Sequence, residues 1–410
     1  MSDYRQSTKD SKVFLRASSS ISSSTVKSIH QRIILESIYK KQSTSRTELS
    51  RQLNISKPAI ADNLNALLSL GIVEEYGEGE VKKSGGRKPR LIRFNKDHKF
   101  IIAIDLNYKD PIFVIGNLNG DIYNEFSVKI SKHASTSVRI DLIRNAILVL
   151  LNSKDATPEN LACIAISSPG VFPAKKELSF ANPQFKEWFD LDLPQLLSEE
   201  FKVNILVKND VNMAAYGELC YGAGRSSQNI LYVSCGSGIG AGLILDSKLF
   251  EGRFNSAGEI FNNVDPAKLA AGTTLEKSVY IDSLLSRMHG NIKNKSAQTP
   301  EKNIPDFEDI IMAYQDKNPY LMKHLEDIGI ELGCTILNIV NLLSVDTVIM
   351  GGEYVIFYDT FIEQIKKITD SHSLFTPRIL KSELGRYAGI MGLFAFSREH
   401  YFDLLVESIR

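Results

Sequence analysis

Residues 45–71 read SRTELSRQLNISKPAIADNLNALLSLG, and the punctuation of this stretch decides the front of the fold. Ser45-Arg46-Thr47-Glu48 has the S-x-x-E spacing of a capping box, in which the serine hydroxyl and the glutamate carboxylate each satisfy an amide left unpaired at a helix start. It opens a short helix with Leu49 and Leu53 inward, and Asn54-Ile55 supply the turn. Ser56 caps the next helix, and Pro58 is tolerated in a first turn whose amides lack internal partners anyway. Ile60, Leu64, Leu67 and Leu68 make its apolar stripe, and Gly71 stops it. Two short helices joined by a tight turn, the second with a polar face, follow the helix-turn-helix plan. Opposite Ile60 and Leu64 lie Ser56, Lys57, Pro58, Ala61, Asp62 and Asn65, small and polar side chains able to approach base edges.

The flanks extend this reading. Val26–Tyr39 carries Ile29, Ile33, Ile34 and Ile38 near helical spacing, after a Ser-rich arm. Beyond Gly71, Ile72–Tyr76 reads as a strand whose return partner is Val81 with Leu91–Phe94. Between them KKSGGRKPR places Lys82, Lys83, Arg87 and Lys88 around two glycines, a basic wing suited to a phosphate backbone or a minor groove. The charge distribution agrees: residues 1–98 hold 18 basic against 10 acidic residues, and the rest of the chain 30 against 38. Double-stranded DNA is the expected partner, held mainly by electrostatics.

The 410-residue length suits two or three domains. No uninterrupted apolar run approaches the roughly 20 residues that span a bilayer, and no signal-peptide core is visible at the start. The four cysteines lie far apart without metal or disulfide spacing. A cytoplasmic protein with no membrane association, metal or cofactor is expected.

From residue 99 the texture becomes α/β. Phe100–Leu106, Pro111–Gly116 and Asp121–Ile130 read as strands, Ser137–Leu151 as a helix, and Cys163–Ile166 as a buried strand ending in Ser167-Ser168-Pro169-Gly170. A similar opening recurs at Asn229–Ser234, followed by Cys235-Gly236-Ser237-Gly238-Ile239-Gly240-Ala241-Gly242 and Leu243–Leu245. Two β-β-β-α-β-α halves imply two lobes with a ligand cleft between them. The glycine-rich turn is either ordinary turn chemistry or a place where phosphate oxygens reach backbone amides. After a strand at Val203–Val207, Asn209-Asp210 opens a helix; the carboxylate reads as a helix cap or as a base that holds a hydroxyl. Glu259 and Glu276 add acceptors, a set suited to a polyol.

This ordered set resembles the ROK family of repressors, open reading frames and sugar kinases. The residues carrying the resemblance are Ser168-Pro169-Gly170, Asn182-Pro183 with Trp188, Asn209–Asn212, Gly236–Gly242, Ala257–Ile260, Gly351-Gly352 and Ala388–Gly392. The resemblance implies a winged helix-turn-helix followed by a two-lobed, actin-like (hexokinase-type) body. The implied layout is a disordered arm at 1–24, the DNA-binding domain at 25–98, a first lobe at 99–208 plus 388–410, and a second lobe at 209–387. It implies a sugar held by Asn182, Asn209, Asp210, Glu259, Asn262 and Glu276, with Asp210 in the place of the kinases' catalytic base. It also implies a former nucleotide site at Gly236, Ser237, Gly238, Gly240, Gly351 and Gly352.

Two departures stand out. The first phosphate turn of the kinases, D-x-G-x-T, reads Asp105-Leu106-Asn107-Tyr108-Lys109 here, without its glycine or hydroxyl. The family's zinc histidine is replaced by Asn262, and Leu269–Glu276 contains no cysteine, so no structural zinc is expected. The leading expectation is a non-enzymatic, sugar-responsive repressor of carbohydrate-utilisation genes, a homodimer or homotetramer taking a monosaccharide or sugar phosphate as effector. An ATP-dependent sugar kinase with a DNA-binding head and a pure protein-interaction module are the alternatives.

Overall fold

The computed structural model describes residues 23–79, 88–106, 111–130, 134–170, 193–236, 238–263, 274–279 and 307–409. The chain divides into two compact units, residues 1–98 with 399–410, and residues 99–398. Residues 399–410, expected to stay with the first lobe, thus cluster with the N-terminal residues instead.

In the first unit, helix α1 (Ser23–Lys41) precedes strand β1 (Thr44–Ser45), α2 (Arg46–Leu53), α3 (Lys57–Ser69), β2 (Val73–Glu78) and β3 (Arg90–Phe94). The three strands form one antiparallel sheet in the order β1-β3-β2. Ile34, Leu35, Ile38, Leu49, Ile60, Leu64, Leu67 and Ile92 are fully buried. Ile29 and Ile33, expected to share the inner stripe of α1, are exposed, and Gln31 is buried in their place. The reason is tertiary: Tyr39, one turn after Leu35 and next to Ile38, meets Phe94 and Phe402 edge-on at 5.3 and 6.2 Å, which sets the helix rotation. Phe402 lies 5.5 Å from Phe94 and under the Arg32 guanidinium, while Arg32 Nε donates to Asp403 at 2.7 Å.

The second unit contains two five-stranded sheets of one topology. β4 (Phe100–Asp105), β5 (Ile112–Asn117) and β6 (Ile122–Ser127) form an antiparallel meander. Helix α4 (Thr136–Asn152) leads to β7 (Leu161–Ser168), and α5 (Leu193–Phe201) to β8 (Ile205–Asn209), giving the order β6-β5-β4-β7-β8 with the last two pairings parallel. Helix α6 (Asp210–Tyr221) leaves this sheet for the second. There β9 (Ile230–Cys235), β10 (Ile239–Leu245) and β11 (Lys248–Leu249) repeat the meander. After α7 (Leu275–Val279), α8 (Phe307–Gln315) and α9 (Pro319–Leu343), β12 (Thr347–Gly351) pairs parallel with β9. Helix α10 (Tyr358–His372) returns the chain to β13 (Arg378–Lys381), parallel to β12. Each sheet has its own core, around Ile102, Ile104, Ile147 and Ile166 in one and Leu231, Val233, Leu325 and Val348 in the other. The repeated halves expected from the two strand runs are therefore present.

Helix α11 (Ala388–Ser408) ends the chain, its residues to 398 in the second unit and those from 399 in the first. It meets α6 backbone to backbone. A Cβ on Gly217 would collide with Ala388 O, and one on Gly392 with Met213 O, so only glycine permits this approach. The far end of α6 is fastened as well. The fully buried Glu218 carboxylate accepts hydrogen bonds from Ser382 Oγ (2.5 Å) and Leu384 N (3.0 Å) in the turn preceding α11, and from Ala223 N (2.8 Å) just after α6. No helix among the described residues is long and apolar enough to cross a membrane.

Candidate nucleic-acid interface and ligand site

The turn between α2 and α3 is built from local bonds. Ser45 Oγ accepts from Glu48 N (3.3 Å), Asn54 takes the left-handed conformation (φ 54°), Ser50 Oγ donates to Ile55 O (2.7 Å), and Ser56 Oγ accepts from Ala59 N (3.4 Å). Glu48, expected to reach back to the cap, instead accepts from Lys41 Nζ (2.7 Å) and Thr44 Oγ1 (3.3 Å), and the Lys41 bond holds its carboxyl below the usual range. On α3, Lys57, Pro58, Asp62 and Asn65 are exposed with the cap Ser56, and Ala61 is half-buried. Asn63 turns inward, donating to Ala59 O at 2.8 Å.

Sequence reasoning missed Arg46. Its Nη2 donates to Asn65 Oδ1 (3.1 Å) and to Glu75 Oε1 (3.3 Å), so one guanidinium ties the start of α2 to the polar edge of α3 and to strand β2. Arg90 Nη1 donates to the other oxygen of Glu75 at 2.6 Å and is the main cause of that carboxyl's lowered pKa. Asn65 thus keeps its amide donors available while its carbonyl is engaged. Of the wing cations, Lys88 is exposed with Nζ 3.7 Å from Glu78. Lys82, Lys83 and Arg87 lie outside the described residues.

In the second unit, β8 runs two residues further than its apolar pattern, so that Asn209 ends the strand and caps α6. Asn209 Oδ1 accepts from Asn212 N and its Nδ2 donates to Gly170 O, both at 2.9 Å, pinning the helix start to the end of β7. Asp210 follows, its Oδ1 accepting from Val211 N at 2.9 Å; burial is the main force pushing its carboxyl pKa up. Lys208, immediately before, is turned onto Glu251 (3.1 Å) and the ring of Phe396 (4.5 Å). Strand β10 gathers the next group: Gly240 lies against Val211, while Ala241 N donates to Gly258 O at 2.8 Å. Asp210 and Glu259 therefore flank the same end of β10. Asn262 sits exposed on the 3-10 turn Ile260–Asn262. Glu276 is on α7, its side chain outside the described residues, as is all of Asn182. Asn212, also missed, is buried, and its Oδ1 has no hydrogen-bond partner among the described residues.

The glycine turn joins β9 to β10, with Gly236 N donating to Gly238 O at 2.9 Å. Ser237 lies outside the described residues. Gly351 ends β12 beside Ser234, and Gly352 takes φ 78°. At the other sheet Ser167 Oγ donates to Asp105 Oδ1 at 2.9 Å, and Asn107, Tyr108 and Lys109 lie outside the described residues.

These two layouts, a capped helix-turn-helix with a wing and a duplicated α/β body, define a DNA-binding head on a sugar-kinase-like body. The ROK family model matches residues 101–400, and the chain belongs to the ROK family. A winged helix-turn-helix DNA-binding model matches residues 27–74. The xylose repressor of Bacillus spizizenii is 26% identical over 389 residues, covering 93% of this chain and 97% of that protein. The xylose repressor of Caldicellulosiruptor bescii is 26% identical over 387 residues, 90% and 95% of the two chains. Among solved structures, a ROK family transcriptional regulator homologous to the E. coli MLC protein superposes with TM-score 0.77 at 19% identity, over 94% of this chain and 99% of that one. A ROK family glucokinase from Streptomyces griseus, in complex with glucose and AMPPNP, superposes with TM-score 0.61 at 19% identity, over 72% and 98%.

Proposed function

We propose that this chain is a sugar-responsive transcriptional repressor whose head holds an operator duplex and whose body binds a monosaccharide at the start of α6. The observation carrying this reading is the presence, in one chain, of an exposed Ser56–Asn65 edge on a doubly capped helix-turn-helix and a half-buried Asp210 at the end of β10 that Gly258-Glu259 also meets. A carboxylate short of water gains most from a ligand that brings hydroxyl donors, and a sugar does so. The kinship with xylose repressors makes xylose the first effector to test.

On DNA, Lys57, Ser56, Pro58 and Ala61 approach the major groove and the wing cations meet phosphates. Two copies would place their α3 helices about 10 base pairs apart, or a multiple of that, on a pseudo-palindrome. A sugar changes DNA affinity only through unequal binding to two states of the chain, typically worth about 1–3 kcal/mol. Phosphoryl transfer is not part of this reading, since Asn107 and Lys109 stand where the glycine and the hydroxyl residue that seat phosphates would be, with bulky Tyr108 between them.

The test is a gel shift on a randomised operator library, with and without each sugar of a monosaccharide panel, beside a coupled ATP assay. Salt-sensitive binding altered by one sugar, without turnover, is expected. Failure to bind duplex DNA at low ionic strength would refute the repressor reading. Sugar-dependent ATP turnover abolished by Asp210→Asn would make the chain a kinase.

A further inference from the structure

Lys208 follows the apolar run Ile205–Val207 of β8 and stands immediately before Asn209 and Asp210. A lysine on a strand ordinarily carries its ammonium out to water along its apolar stem. This one is held within the fold. Its Nζ donates to both Glu251 carboxylate oxygens, at 3.1 and 3.2 Å, and lies 4.5 Å from the centre of the Phe396 ring on α11. The two charged side chains keep only 21% and 26% of their exposure, so water screens this pair less than it screens an ordinary surface bridge. Phe396 in turn meets Tyr216 of α6 edge-on at 6.4 Å. The ammonium is therefore fixed between a carboxylate and a ring face.

Each partner of the ion pair sits at the root of one half of the ligand site. Strand β8 belongs to the first sheet, and Asp210 comes two residues after Lys208. Asn209 between them is pinned to Gly170 O and Asn212 N, so the segment has little freedom. Glu251 lies on the second sheet's side, two residues after β11. Its carbonyl accepts from Ala257 N at 3.1 Å, which closes residues 251–257 into a compact loop. Gly252 turns that loop at φ 68°. Gly258 leaves it at φ 90° against β10, where a Cβ would collide with Ala241 O, so only glycine fits. Glu259 follows directly. The backbone from Glu251 to Glu259 is thus short and braced at both ends, and a shift at Glu251 reaches Glu259.

We infer that Lys208 and Glu251 are positioning residues, whose ion pair sets the spacing between the Asp210 and Glu259 segments at which one sugar meets both. This rests on the sugar-binding reading above and adds to it what aligns the two segments. A site whose halves are aligned beforehand loses less freedom when its ligand arrives, so the pair raises affinity without touching the sugar. Because the two charges are partly desolvated and hydrogen-bonded, removing either one strands the other, and the two losses are one event.

The test titrates xylose calorimetrically into the full chain, unsubstituted and as Lys208→Met, Glu251→Gln, the double variant and Lys208→Arg, with circular dichroism of each as a check on folding. Each neutralising variant should bind xylose about fivefold more weakly or worse, and the double variant no more weakly than the worse single. Lys208→Arg, which keeps the charge, the carboxylate contact and the ring stacking, should restore most of the affinity. A merely structural pair would lower Tm and leave the affinity of the folded variants unchanged, which overturns the inference, as do losses that add in the double variant. Should Lys208→Met fail to fold, Glu251→Gln, which preserves side-chain shape, decides the matter alone. If no sugar of the panel binds the unsubstituted protein, the sugar-responsive reading falls and takes this inference with it, whereas full affinity in the folded variants defeats only the role of the ion pair.

Discussion

Replacing Gly392 by alanine tests the contact between α6 and α11 most directly. The added methyl would collide with Met213 O and stand 2.6 Å from the Met213 carbonyl carbon, closer than real Cβ atoms approach anything. Both obstacles are backbone, so no rotamer relieves the clash and the helices must part. Overpacking of a dense interior costs about 1–3 kcal/mol, and a backbone obstacle puts this site at the upper end. Alanine in a helix returns up to about 1 kcal/mol relative to glycine. The net expectation is a loss of about 2 kcal/mol, or a fall of about 4–8 °C in Tm, read by circular dichroism. Gly217→Ala strains the same contact, since its Cβ would collide with Ala388 O and lie 2.9 Å from Gly392 N. One separation of the helices accommodates both methyl groups, so the double variant should lose clearly less than the sum of the singles. A Gly392→Ala protein that melts at or above the unsubstituted protein would refute the reasoning, as would strict additivity.

Phe402→Ala removes a buried ring from the trio with Tyr39 and Phe94, at about 3–5 kcal/mol; DNA binding should fail on mild warming, and an unchanged operator affinity at 37 °C would contradict the packing argument. Arg46→Ala frees Asn65 Oδ1, so an in vitro selection should show a base preference altered by about 1–3 kcal/mol at one operator position, and an identical selected site would show that Asn65 reads no base. Asp210 has a pKa raised above its ordinary 3.8, so its ionised form is disfavoured in the folded chain and stability falls as pH rises from that value through the folded pKa. Asp210→Asn should therefore melt higher than the unsubstituted protein at pH 7, with an advantage that shrinks towards pH 4, and should lose the sugar response; a lower Tm at pH 7 would reverse the sign of the burial argument.

The helix-turn-helix was legible because its signals are local: Ser45, Asn54, Ser56 and Gly71 each act within a few residues of their own position. The duplicated body was legible for a related reason, since two buried apolar strand runs precede glycine or proline turns. What sequence reading missed depends on partners distant along the chain. The rotation of α1 answers to Phe94 and Phe402, which no periodicity over residues 26–39 contains. Arg46 looks like an ordinary helix-start cation until Asn65 and Glu75 are folded against it. Glu218 carries no signal of its own in the sequence, because its donors come from residues 223 and 382–384. The reassignment of residues 399–410 has the same origin: α11 has one continuous helical pattern and no boundary mark at Arg398.

That discontinuous first unit sets an order of assembly during synthesis. The helix-turn-helix is translated about 300 residues before Phe402 and Asp403, which complete its aromatic cluster and pair with Arg32. At typical ribosomal speeds the intervening 300 or so residues take roughly 15–60 s, during which the head waits with part of its interior uncovered. A prematurely terminated chain thus lacks the plug that finishes its DNA reader, and broken messages yield fragments poorly equipped to occupy the operator.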